Sequence, residues 1–117
     1  MSQPRHAKSG ILQGTLDLMV LQTLAAMGPM HGYGLARRIE QVSGEALQIS
    51  QGTIYLCLVR LVQKGWLKAE WGTSENNRKA KFYSISKAGA KQLVTKTQSW
   101  ERVSGIIGKL LQLGTRG

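Results

Sequence analysis

The sequence predicts a mainly α-helical domain with a small β-hairpin, arranged as a winged helix-turn-helix followed by a C-terminal helix. Three observations lead there. Two short segments, residues 32–42 and 50–65, carry apolar residues at helical spacing and are separated by a turn-forming loop. After Gly65 the pattern shifts towards a period of two, with aromatic and branched residues on either side of a polar stretch at 72–78. Beyond Ser86 a long helical pattern resumes, its apolar residues spaced near seven apart. Helices followed by such a hairpin form the winged-helix plan.

In chain order, residues 1–10 are basic, contain Pro4 and Gly10, and are expected to form a flexible arm. Residues 11–85 then hold the winged helix-turn-helix. Its first helix places Leu16, Met19, Val20, Leu24 and Met27 close to one stripe, with Asp17 expected in a first turn that favours negative charge. Gly28-Pro29 ends it. The second helix, from about Gly32 to Val42, turns Leu35, Ile39 and Val42 inward and Arg37, Arg38, Glu40 and Gln41 mostly outward; Ser43-Gly44 closes it.

The third helix opens at Ser50, whose hydroxyl suits a cap, and stops at Gly65. Ile54, Leu58, Leu61 and, less centrally, Val62 form its apolar side. Gln51, Thr53, Tyr55 and Arg60 do not all share that side, and they bear the groups that reach base edges and phosphates. Taken alone, the stretch fits an ordinary amphipathic helix equally well. Its neighbours make it a reading helix. Next come strand-like segments at Trp66–Trp71 and Lys81–Ile85, around a tip with Asn76, Asn77 and Arg78; Lys79 and Lys81 share one side of the descending limb. Residues 86–113 form the last helix, where Leu93, Trp100, Val103, Ile107 and Leu110 compose a seam suited to dimerisation, although such a stripe equally suits a helix folded back onto its own domain.

Composition narrows the function classes. Sixteen Lys and Arg against six Asp and Glu give a net charge of +10 over 117 residues, a field that favours polyanions, nucleic acid first and an anionic membrane second. The chain is long enough for one domain with an ordinary core. No apolar run approaches the roughly 18 residues of a membrane span, and no secretion signal opens the chain. One cysteine excludes an internal disulfide framework and fits a reducing cytoplasm. No nucleophile–base set, paired-carboxylate site or phosphate loop stands out, so neither an enzyme nor a cofactor is expected.

Several motifs in a fixed order add to this. His31-Gly32-Tyr33-Gly34, Gly52-Thr53-Ile54-Tyr55, Arg60-Leu61 with Gly65-Trp66, Glu70-Trp71, Asn76 through Tyr83, and Ser86-Lys87-Ala88-Gly89 together resemble the PadR family of transcriptional regulators. The likeness covers roughly residues 11–113. It implies a winged helix-turn-helix, a C-terminal helix used for dimerisation as in the small PadR class, and usually repression of transcription. Two positions depart from the family pattern: Leu56 stands where proline is usual, and Val62 where glutamate is frequent. Leu56 restores a backbone donor and places an apolar group near the expected DNA face.

The expected partners are therefore double-stranded DNA and a second copy of the chain. Gln51 can pair with adenine, Thr53 offers a hydroxyl, and Tyr55 either donates to a phosphate or packs beneath the wing. Arg78 and Lys79, with Asn76 and Asn77, suit phosphate contact or a solvated tip. Lys64 suits phosphate contact or the C-terminal helix dipole. Tyr33 is expected between helices, with a hydroxyl contact to phosphate at the helix start as the alternative. His31 is expected as a cap or a donor. Cys57 is expected as a small buried residue, an exposed redox thiol being the alternative. With no second histidine at ligand spacing, no metal site is expected. Some members of the family bind aromatic effectors near the C-terminal helix, which makes Trp100 a candidate for a small hydrophobic effector; a core role is the alternative. The rival readings are a dimeric small-molecule sensor with weakened DNA binding and a sequence-indifferent nucleic-acid packing protein.

Overall fold

The computed structural model describes the backbone of residues 4–114 and the side chains of residues 14–114. Helix α1 spans Pro4–Met27, β1 Met30–His31, α2 Gly32–Val42, α3 Gln51–Gln63, β2 Leu67–Thr73, β3 Lys79–Ile85 and α4 Lys87–Leu111. The expected flexible arm is thus helical from Pro4 onward, while residues 1–3 lie outside the described part. Proline suits a first helical position because its φ is preset and its missing amide hydrogen has no helical partner there. Asp17 consequently sits deep within α1 and not in its first turn.

Three helices and a sheet face enclose the core. Val20, Leu21 and Leu24 of α1 meet Leu35 and Ile39 of α2 and Ile54, Leu58 and Leu61 of α3, with Leu67 and Tyr83 closing it from the sheet. Each fully buried aliphatic side chain contributes about 1.5–3 kcal/mol relative to exposure, so this cluster dominates the fold's stability. Val42, expected beside Ile39, is 78% exposed. It ends its helix, and beyond it the chain turns away at Ser43 and Gly44, the latter at φ 70°.

The sheet has three strands in the order β1-β3-β2, with β3 antiparallel to both neighbours. The hairpin was expected; β1 was not. Met30 pairs with Tyr83 and His31 with Phe82, which ties the start of α2 to the wing.

At its other end the wing is fastened to α4. Ser86 caps α4 by accepting from the Gly89 amide at 3.0 Å, and its hydroxyl donates to the Gly65 carbonyl at 2.6 Å. The Ser86 amide donates to the Trp66 carbonyl at 3.0 Å. Gly89 packs so closely there that a Cβ would fall 2.0 Å from that carbonyl oxygen. Leu93, expected in the dimer seam, packs in part against the chain's own core, and α4 lies against α1. Among the described residues no helix is long and apolar enough to cross a membrane, and no three metal-ligating side chains converge.

Candidate nucleic-acid interface

Ser50 starts α3 as its cap. Its hydroxyl oxygen accepts from the Thr53 amide at 3.1 Å and donates to Thr53 Oγ1 at 2.9 Å. Ile54, Cys57, Leu58 and Leu61 sink into the core, and this roll of the helix leaves Gln51, Thr53 and Tyr55 facing outward. Tyr55 is 57% exposed, so its ring does not lie buried beneath the wing. Beside it Leu56 is 65% exposed and α3 runs through that position without a break. Val62 packs partly against the core, which suits an apolar residue there.

A groove of about 270 Å³ separates the N-terminal half of α3 from the sheet, lined by His31, Tyr33, Gln51, Tyr55, Lys81 and Tyr83, among others. Burial first, and the nearby Tyr55 second, push the Tyr83 phenol above its ordinary pKa. A wider cleft of about 470 Å³ lies between α2 and the wing tip, with Tyr33, Arg38 and Gln41 on one wall and Asn76, Arg78 and Lys79 on the other.

The wing tip is built by its backbone. The Ser74 amide donates to the Arg78 carbonyl at 2.8 Å, and the Asn77 amide to the Ser74 carbonyl at 2.9 Å. Asn77 takes φ 61°, a left-handed conformation that asparagine tolerates better than most residues. With the turn closed this way, Asn76, Asn77, Arg78 and Lys79 all project into solvent.

Two expectations change, at Arg60 and at Tyr33. Arg60 does not face outward with the reading residues: its Nη2 donates to Asp17 Oδ1, joining α3 to α1. Asp17 also accepts from the Cys57 thiol at 3.3 Å. A buried carboxylate needs such partners, so Arg60 is drawn to it. Lys64, at the C-terminal end of α3, holds its ammonium 4.7 Å from the Trp66 ring centroid, with Lys96 of α4 5.3 Å from the same ring. Tyr33, expected between helices, is exposed on the rim of both clefts. The two expected structural roles hold: His31 Nδ1 accepts from the Gly34 amide at 3.0 Å, and Cys57 is buried.

Beside Tyr33, Arg38 and Gln41 form a wall that the sequence did not assign to the interface. Arg38 and Gln41 were visible only as the polar side of α2. Arg37 beside them is committed elsewhere, pairing with Glu40 at 3.2 Å and Glu45 at 3.1 Å. Hydrogen bonds from Arg37 to Glu45 and then Glu40 raise the guanidinium's pKa further.

Trp100, Val103, Ile106, Ile107, Leu110 and Leu111 of α4 are exposed in the single chain, as is Leu113 beyond the helix. Trp100 lines neither of the two clefts described above.

Comparisons with known proteins point one way. The model of the transcriptional regulator PadR-like family matches residues 20–95. The chain is similar to a transcriptional regulator of Clostridium thermocellum, at 27% identity and TM-score 0.77, over 86% of this chain and 96% of that one. It is also similar to a PadR family transcriptional regulator of Eggerthella lenta, at 26% identity and TM-score 0.73, over 95% and 96% of the two chains. An uncharacterized protein, X, of Lysinibacillus sphaericus is 27% identical over 90% of this chain and 95% of its own length.

Proposed function

Since the chain belongs to the PadR-like family of transcriptional regulators, and so is a regulator and not an enzyme, we propose that it is a homodimeric repressor that reads a palindromic operator in double-stranded DNA. The observation that carries the reading is the groove in which Gln51 and Tyr55 of α3 face Lys81 of the wing, with Thr53 exposed on the same helix. Amide and hydroxyl groups at the start of a helix suit base edges and phosphates, and the cations beside them suit the backbone. Asn76, Asn77, Arg78 and Lys79 would lie along the phosphates, with Arg38 facing them across the cleft.

Pairing through α4 would complete the site. Trp100, Val103, Ile107 and Leu110 leave an apolar helix face uncovered in the single chain, and a second α4 supplies the matching face. Two-fold symmetry then requires the two α3 helices to lie roughly 34 Å apart, one turn of duplex DNA. A small aromatic or hydrophobic effector lodged beside Trp100 at that junction would alter the spacing and release the operator.

Dimerisation and DNA reading can be separated in one experiment. Light scattering should give twice the chain mass, and Ile107→Glu should reduce it to one. The same substitution should abolish preference for a palindromic duplex selected by binding, while leaving weak, salt-sensitive binding to any duplex. Two further results would reject the proposal. Equal affinity of the unaltered protein for all duplexes would make it a packing protein. A dimer without DNA affinity would make it a sensor, with exposed Leu56 as the residue to restore to proline.

A further inference from the structure

Trp71 has no place in the core, the reading helix or the dimer seam. Residues alternate between the two faces of a strand, so Leu67, Ala69 and Trp71 share one face of β2. Opposite them on β3 stand Ile85, Tyr83 and Lys81, with Lys79 beyond. Leu67 and Tyr83 on this face are buried in the core. Trp71 therefore continues the core-facing side of the sheet past the point where the core ends, and is 68% exposed.

Its surroundings are basic. Lys81 lies directly opposite in register, its ammonium 5.7 Å from the ring centroid, and it also lines the groove shared with Gln51 and Tyr55. The ring thus stands on the wing face that borders the reading helix, with Lys79 on the same side of the strand pair. An indole kept open to solvent between cations suits a partner that alternates apolar and anionic groups. The sugar–phosphate backbone of DNA has that alternation.

We propose that Trp71 is a DNA-contacting residue, its ring lying against a deoxyribose beside the reading helix while Lys81 and Lys79 hold the flanking phosphates. The proposal rests on duplex DNA binding across α3 and the wing. A different role is open to the same side chain: a cross-strand pair with Lys81 that only steadies the hairpin.

Fluorescence anisotropy with a labelled mixed-sequence duplex of about 30 base pairs, at roughly 50 and 200 mM salt, separates these roles. Trp71→Thr keeps a residue suited to strands and should weaken binding about tenfold, as expected when an aromatic ring loses its apolar contact with the sugar. The dependence on salt should stay as steep as before, because no phosphate contact is lost. Lys81→Ala should instead flatten it by about 0.9 in log–log slope for each copy of the chain engaged. Trp71→Phe, which keeps an aromatic face, should bind within a fewfold of the unaltered protein and guards against misfolding of the threonine variant. The proposal is overturned if Trp71→Thr binds as the unaltered protein does while Arg78→Ala weakens binding, a result that leaves the DNA-binding reading standing. Tighter binding to the single-stranded form of the oligonucleotide would overturn it too, since the ring would then be stacking on bases. Failure of the unaltered protein to bind any duplex would remove the reading beneath it as well.

Discussion

Removing Arg60 should cost stability without removing a phosphate contact. Its guanidinium is 28% exposed and bonded to a carboxylate that is only 6% exposed. Among the described residues, the substitution Arg60→Ala would leave that carboxylate with the Cys57 thiol, a weak donor, as a side-chain partner. Breaking a buried ion pair from one side costs about 3–5 kcal/mol, mostly through the charge left behind. At about 4 °C per kcal/mol for a domain of this size, the melting temperature should fall by roughly 12–20 °C. Urea unfolding at fixed protein concentration measures the loss, and Asp17→Leu should cost a similar amount. The double variant Asp17→Leu/Arg60→Met should lose much less than the sum, because apolar replacement of both partners removes the uncompensated charge. In a DNA titration, Arg60→Ala should leave the salt slope unchanged. A stability loss under about 1 kcal/mol together with a slope reduced by about 0.9 would refute the reasoning and return Arg60 to the phosphates.

Three further outcomes follow from local geometry and protonation. Gly89→Ala should destabilise the protein by about 1–3 kcal/mol, since the new methyl group would collide with the Trp66 carbonyl; Gly105→Ala, with open space around it, should stabilise α4 by up to about 1 kcal/mol. Burial first and the Asp17 carboxylate second push the Cys57 thiol up to about 12, so iodoacetamide should label it at pH 8 only in denaturant. Because the folded value lies above the unfolded one, near 8.5, the stability associated with this thiol is complete below that pH and is lost as pH rises towards 12. Glu40 behaves in the opposite sense. The Ile49 amide, donating at 2.7 Å, is the main cause that lowers its pKa; the associated stability is present above about 4.3 and disappears as pH falls through the depressed value. Urea midpoints from pH 7 to 3 should show a smaller acid-side decline in Glu40→Gln than in the unaltered protein.

What could be read in the sequence depended on how local its cause is. Ser50, Ser86 and Gly65 act within a few residues of where they stand, and all three mark helix boundaries where expected. The apolar face of α3 likewise followed from spacing alone. Arg60 did not, because a residue at the edge of that face is directed by Asp17, forty-three positions earlier. Leu93 shares its spacing with Trp100 and Ile107, and nothing in that spacing separates its partial packing on the core from their exposure. Strand β1 is two residues long, too short to show any period. Tyr33 has the composition of a packing residue, yet it follows a turn that β1 pins to the wing, and its ring is left at the edge of both clefts.

The most direct test of the account is the salt dependence of duplex affinity for the unaltered protein, with Tyr55→Phe and Arg78→Ala alongside. Affinity should fall steeply between roughly 50 and 200 mM salt, and Arg78→Ala should flatten the log–log slope by about 0.9 for each copy of the chain engaged. Tyr55→Phe should weaken binding at both salt concentrations. Affinity that is absent, or indifferent to salt and to both substitutions, would contradict the claim that the outer face of α3 and the wing grip DNA.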